Sequence, residues 1–481
     1  MFYRKSIRQR RVKKVRLSFG DFLGGVNARA DKNLLSFRYS PLAYNFATPS
    51  GALTHTKGIG ELVIGQKLIQ PIPGESIGKL YFYKRYDPGL KAYDDKLLAY
   101  CVSKKLYYLD IEGEESGFKP LEGISFERAP VCINYRLHGD DVIIMCSEYD
   151  GMAVWDGKNP PYKVENAPKI STMCVHYERL FATVDGEKSA VWFSDDLDPT
   201  NWDISLDEAG YIEIIDEKGA LQKVLKFLDY VYIFRSYGIS RLTAYAEQTE
   251  FSVINLFVSS GKIFPETVTV CGDRIIFLAE DGLFSSDGIS TARIAEGIFP
   301  LLEGNDNKGA SSAYFNGCYY LACRADFGEQ GEEGNNALLE YDVRKGRATL
   351  IRAKGITSLS VISTESVNLL AMSVEGRPAM LVGEGSFFGE PLEKYWQTPQ
   401  FDFSAPGAMK VLRNVFLYTD TDIELGVVSD LGSKKVRVSG GEGERRVAVN
   451  LKGRTFRLEF ACRSAHARIS KVTAVCDVLE G

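Results

Sequence analysis

The apolar positions of this chain fall in short runs, and the polar breaks between the runs are tight. Residues 190–245 set the pattern. Ala190–Ser194 is an apolar run with Trp192 and Phe193, long enough for one strand. Asp195, Asp196, Asp198, Pro199 and Asn201 then break it, because Asp and Asn side chains bond nearby backbone N–H groups and Pro presets a turn dihedral. Three further runs follow, Leu221–Phe227, Tyr230–Phe234 and Ile239–Ala244, separated by Asp229 and by Tyr237-Gly238. Runs this short, with breaks this tight, predict hairpins in an antiparallel meander rather than helices.

The same theme repeats from about residue 78 to 386. Seven units are readable, at 78–123, 129–165, 170–214, 220–256, 266–298, 311–352 and 357–386, each with three or four runs joined by Gly, Asp or Asn turns. Four-stranded units of this length are what a β-propeller stacks around an axis, because one such sheet cannot bury both its faces alone. Two β-sandwiches laid end to end are the alternative. Asp326–Asn336 reads as a solvated hairpin tip. Alternating runs over 395–481, six or so, predict a small C-terminal β-sandwich or jelly roll. Before the units, 20–60 has little periodicity and many turn residues, as in an extended segment that wraps over something else. The expected class is therefore all-β: an irregular six- to seven-bladed β-propeller at 61–390, a C-terminal β-sandwich at 395–481, and a basic arm with an extended segment at 1–60.

Aromatic content of 12% with 45 Gly supports strands and turns over helices. Charge changes the picture more. The formal net charge is −5, yet residues 1–16 carry eight basic groups (Arg4, Lys5, Arg8, Arg10, Arg11, Lys13, Lys14 and Arg16) and no acid. Residues 17–399 hold 37 basic and 53 acidic groups. An acidic middle argues against a duplex-binding face there, since such affinity comes from neutralising phosphates. The basic arm interleaves its charges with Phe2, Tyr3, Ile7, Val12, Val15 and Leu17, an alternation that a pure phosphate binder does not need. It is expected to dock as a strand or extended chain on protein, and its eight basic residues are the candidate interface. The nine Cys sit mostly in strand-like runs without Cys-x-x-Cys spacing and read as reduced thiols. The N-terminus lacks the apolar region of a secretory signal, and no window approaches a membrane span.

Candidate chemistry is thin. His55, His138, His176 and His466 never fall at metal-ligand spacing. Asp195, Asp196, Asp198, Asn201 and Asp203 have oxygen ligands for calcium but lack the Gly and distal Glu of an EF-hand, which favours turn chemistry. A propeller glycosidase needs two carboxylates at a set separation, and no motif selects a pair. Phe284-Ser285-Ser286-Asp287-Gly288 only faintly echoes a sialidase Asp-box. Gly74-Glu75-Ser76-Ile77-Gly78 matches Gly-x-Ser-x-Gly by letter, but no strand-to-helix elbow surrounds it. No catalytic, cofactor or metal residue is assigned, and the chain is read as a non-enzyme.

Two stretches resemble a known family. Phe22-Leu23-Gly24-Gly25-Val26-Asn27, then Tyr39-Ser40-Pro41, Tyr44-Asn45, Gly51-Ala52-Leu53 and Lys57-Gly58, resemble the opening of many tailed-bacteriophage proteins. Trp192-Phe193-Ser194, then Asp198-Pro199-x-Asn201-Trp202 and Ile239-Ser240-x-Leu242, resemble the nozzle proteins of short-tailed phages and the related packaged-DNA stabilisation proteins. The closing Lys452-Gly453-Arg454-x-Phe456-Arg457-Leu458 is similar to a stretch of such proteins. The resemblance implies a viral structural protein of the virion tail or head–tail connector, with no catalytic residues and no cofactor. It implies a homo-oligomeric ring, usually hexameric, attached to a portal or adaptor, through which packaged DNA is retained and ejected without sequence-specific binding. Assembly would take place in the host bacterial cytoplasm. The alternatives are a carbohydrate-binding propeller at the tail tip and a propeller glycosidase.

Overall fold

A computed structural model of the chain describes residues 12–206, 208–245, 248–328 and 334–479. Those residues form an all-β protein whose only helical elements are four single 3₁₀ turns. Seven sheets follow one another along the chain; six are built from four antiparallel strands in simple meander order, and the seventh has six strands, three of them a meander. Their first strands are Ile77–Tyr83, Val131–Leu137, Ile170–His176, Leu221–Phe227, Thr269–Val270, Ser311–Phe315 and Ile356–Ser363. The first six units read from the sequence match the first six sheets, and the seventh unit, 357–386, supplies only part of the seventh sheet.

The burial of each strand follows from its place in the meander. Second strands such as Lys96–Cys101, Ile275–Ala279 and Cys318–Cys323 are buried at every position. A strand apolar on both faces needs cover on both faces, and neighbouring sheets supply it. The first and second sheets share a core through Tyr83, Leu98, Met145 and Trp155. Each later pair shares its own core in the same way. The seventh sheet in turn shares a core with the first, where Ile362, Leu369 and Ala371 meet Ile77, Leu80 and Leu97.

The seventh sheet takes its fourth strand from before the first. Gly58–Glu61 pairs antiparallel with Arg377–Val382, with Ile59 opposite Leu381. Gly58 is required there, because a Cβ would fall on the backbone oxygens of Glu384 and Ser386.

The chain's two ends build one further body. Its first sheet is formed by Met409–Thr419, Glu444–Gly453 and Arg468–Leu479 with Phe46–Ala47, Leu53–His55 and Val12–Phe19. Its second is formed by Glu393–Gln397, Ile423–Ser429, Gly432–Val438 and Phe456–Arg463 with Ala43–Tyr44. Leu412, Val415, Leu425, Leu458, Phe460 and Ile469 fill the core between them. Segment 20–60, expected to wrap over something else, thus packs on its own chain. Phe22 is fully buried edge-on to Trp396 at 5.4 Å.

The insertion expected to be a solvated hairpin tip is anchored at both ends. Phe327 is buried, and the Asn336 amide donates to Ala325 O at 2.9 Å and accepts from Ala325 N at 2.8 Å. These asparagine bonds offset the cost of burying polar residues. Residues 329–333 lie outside the described set.

Candidate interaction surface and a cavity between the sheets

Of the eight basic residues read as an interface, Lys13, Lys14 and Arg16 lie on the strand Val12–Phe19, whereas Arg4, Lys5, Arg8, Arg10 and Arg11 lie outside the described residues. The strand pairs antiparallel with Arg468–Leu479, Lys14 opposite Asp477 and Arg16 opposite Val475. Val15, Leu17 and Phe19 pack on the core, so the alternate positions Lys14, Arg16 and Ser18 face outward. Among the described residues, none of the three basic side chains makes an ion pair.

The neighbouring strands add cations to the same face. Outward positions carry Arg413, Arg446, Lys452 and Lys471, all exposed. Glu444 and Asp477 are the acids of this face, and Asp477 binds Arg413 at 2.6 Å. Arg446 donates to Asn414 at 3.1 Å, and Lys471 lies 5.4 Å from the Tyr418 ring centroid. These four basic residues were missed from sequence: alternation places Arg446 and Lys452 on one face of their strand, but Arg413 reaches it only through a bulge between Leu412 and Asn414.

A second polar site lies where the first strands converge. A cavity of about 440 Å³ is lined from all seven sheets, by residues including Lys79, Cys132, Thr172, Lys223, Ser312 and Ser360, and by Glu266 and Thr269 ahead of and within the fifth. Lys79 Nζ is 3.2 Å from Glu266 Oε2. Lys223 Nζ donates to the carbonyls of Pro265 and Val268 at 3.0 and 3.2 Å. The Lys79 charge, helped by Lys223 and opposed by burial, holds the Glu266 carboxyl down to about 2. Burial lowers the Lys223 ammonium below its ordinary value. Lys79 and Glu266 thus form an ion pair on the cavity wall, Lys223 stands nearby on backbone carbonyls, and the hydroxyls of Thr269 and Ser312, 2.6 Å apart, line the same wall.

The stretches singled out for other chemistry are turns. Asp195 accepts from the Asn201 amide at 2.8 Å, Asp198 from the Thr200 N–H at 2.9 Å, and Asp203 from the Ser205 N–H at 2.9 Å. Asp287 accepts from the N–H groups of Ile289 and Ser290. Its neighbour Gly288 has φ +90, and a side chain there would meet the Tyr232 hydroxyl. Among the described residues no group of His, Cys, Asp and Glu could hold a metal ion. All nine Cys are free thiols, eight of them buried.

The family-resembling residues sit at joints. Asn45, at φ +58, donates its backbone N–H to Leu350 O at 2.9 Å. Its side chain donates to Glu393 O at 2.6 Å and accepts from Arg352 N at 2.8 Å. It thereby pins the N-terminal segment between the sixth sheet and the terminal body. Ser40 Oγ is 2.7 Å from Gln397 O. Gly24 leaves room for the Tyr39 ring, which a Cβ would meet at 2.6 Å. Trp202 is buried between the second and third sheets and donates its indole N–H to Pro199 O at 3.0 Å.

No protein-family model matches the chain, and no curated protein does. Among solved structures the chain is similar to Raptor from Chaetomium thermophilum, with 8% identity and a TM-score of 0.45 over 68% of this chain and 29% of that one. It is also similar to the extracellular domain of BT4673 from B. thetaiotaomicron, with 12% identity and a TM-score of 0.42 over 73% of this chain and 43% of that one. The chain therefore spans less than half the length of either, and neither likeness bears on function.

Proposed function

We propose that this chain is a structural protein of a tailed-phage virion, a nozzle-like component of the tail or neck that forms a closed homo-oligomeric ring on a portal or adaptor. Packaged DNA passes through that ring without sequence-specific contact. In this reading the seven sheets are the blades of an irregular propeller, Gly58–Glu61 is its closing strand, and the terminal body is an appended β-sandwich. Support for the propeller comes from the cyclic sharing of cores and from the single cavity lined by all seven sheets. Stacked sandwiches would not bring the seven sheets to one cavity.

The observation that carries the functional reading is where the resembling residues lie. Asn45, Ser40 and Gly24 tie distant segments together, and Trp202 packs in the core between two sheets. This is what an architectural role asks of a motif. The test is native mass spectrometry of the purified chain, followed by electron microscopy of virions carrying a tagged copy. A closed ring, and a tag at the tail or neck, are expected. A strictly monomeric protein that binds or cleaves glycans would overturn the proposal in favour of a tail-tip receptor binder or a glycosidase.

A further inference from the structure

The outward face of the terminal sheet has the opposite sign to most of the molecule. Lys14, Arg16, Arg413, Arg446, Lys452 and Lys471 stand on it against Glu444 and Asp477. Among the described residues the strand Val12–Phe19 pairs on one side only, so this face ends there on an edge strand.

A complementary surface lies elsewhere on the same chain. Residues 185–217 carry eleven acidic side chains and one basic one, Lys188. They include the strands Ala190–Phe193 and Gly210–Glu213, the latter forming the open edge of the third sheet. Several acids there are engaged locally, among them Asp216 with Arg235 at 3.2 Å and Glu208 with Arg179 at 3.1 Å. Glu213 and Glu217 make no ion pair among the described residues. Apolar side chains stand exposed among them: Tyr211 at 49%, Ile215 at 83% and Leu197 at 60%. The basic face offers Tyr418 and Phe416 in return. Charge with interspersed aromatic and aliphatic groups is the composition of a protein interface, whereas a phosphate-tracking surface needs only cations. No shared core links the two regions within one copy.

We infer that the basic face of the terminal sheet in one copy docks on the acidic edge of the third sheet in the next, a head-to-tail contact between copies of this chain. The patches differ, so the contact is heterologous, and a heterologous contact closes into a ring when its rotation allows. The inference rests on the proposed ring and names the surfaces that make it. Opposite charges also speed encounter and reject wrong registers.

The test is charge reversal, read by mass photometry and analytical ultracentrifugation. Lys14→Glu/Arg16→Glu and, separately, Glu213→Lys/Glu217→Lys should each weaken self-association by about tenfold or more, because each sets like charges face to face. Mixing the two variants in equal amounts should restore assembly, since each then meets an opposite patch. The parent assembly should dissociate towards ~1 M salt, where the screening length falls to about 3 Å. Failure of the mixture to reassemble while the parent forms rings would overturn this contact and leave the ring standing. A parent that is monomeric throughout would overturn both. Reversal at Lys14 and Arg16 that abolishes binding of a short DNA duplex with ring mass unchanged would assign the face to nucleic acid instead.

Discussion

If Gly58–Glu61 closes the array of sheets, weakening it should be felt far from the strand itself. Ile59 is the residue to change. It is fully buried in the core shared by the sixth and seventh sheets, packed among Met372, Ala379 and their neighbours. Ile59→Ala deletes three buried carbons, about 2.4 kcal/mol at roughly 0.8 kcal/mol each. The cavity left behind brings the expected cost to about 2–5 kcal/mol. Backbone pairing of the strand with Arg377–Val382 is untouched, so the loss is one of packing. Hydrogen exchange resolved by segment is the assay, because it reports the opening free energy of each element separately. Protection should fall in the seventh sheet and also in Ile77–Tyr83 of the first, since Ile77 and Leu80 share a core with Ile362 and Leu369. Gly58→Ala should produce the same distribution with a larger loss, as the new methyl meets backbone that cannot rotate away. Loss of protection confined to Gly58–Glu61 and Arg377–Val382, with the first sheet at parental values, would show that the strand is an ornament and the closure reasoning is wrong.

Other expectations follow from the joints and the cavity. Asn45→Ala removes the side-chain bonds to Glu393 O and Arg352 N and forces an alanine to positive φ, for a loss of about 2–4 kcal/mol by urea titration. Glu266→Gln should lower the thermal midpoint at neutral pH, because Lys79 and Lys223 then face each other uncompensated, and Lys79→Met in the same chain should recover part of it. Glu266 is depressed from its ordinary value near 4.5 to about 2, so its contribution is full above 4.5 and lost as pH falls towards 2; the acid limb of a midpoint-against-pH curve should therefore be shallower in the Gln variant. His55 is lowered first by burial and then by His466 and Lys394, so stability is full above about 6.5 and falls below it; His55→Gln should flatten that fall in a thermal scan from pH 7.5 to 5.

What could be read along the chain was what is written locally. Period-two alternation in Ile170–His176 and the Asp-Gly turn after Trp155 are decided by residues a few positions apart, and the first six sheets fall where those signals place them. Long-range pairing has no such signature. Val12–Phe19 alternates well enough to be read as a strand, but its partner at Arg468–Leu479 lies at the other end of the chain. Gly58–Glu61 does not alternate at all. Lys79, Lys223 and Glu266 look like ordinary surface charges in three separate units, and only the convergence of first strands makes them one site.

The joints are nevertheless marked, in a different way. Gly58 stands where a Cβ would strike backbone, Gly24 where it would strike the Tyr39 ring, and Asn45 at a positive φ that few side chains tolerate. Each looks like a lapse when the segment is judged as a strand, because glycine and asparagine weaken the alternation that makes strands legible. Judged as contacts between distant segments they are what the geometry demands: a missing side chain where two backbones meet, and an amide that both donates and accepts where carbonyl and N–H from different sheets converge. A segment whose local pattern is poor and whose glycines and asparagines are positionally constrained is thus read better as a connector between bodies than as a loop. On that reading the 20–60 segment is the chain's principal tie. Substitutions within it should damage assembly of the sheets with the terminal body before they damage any single sheet.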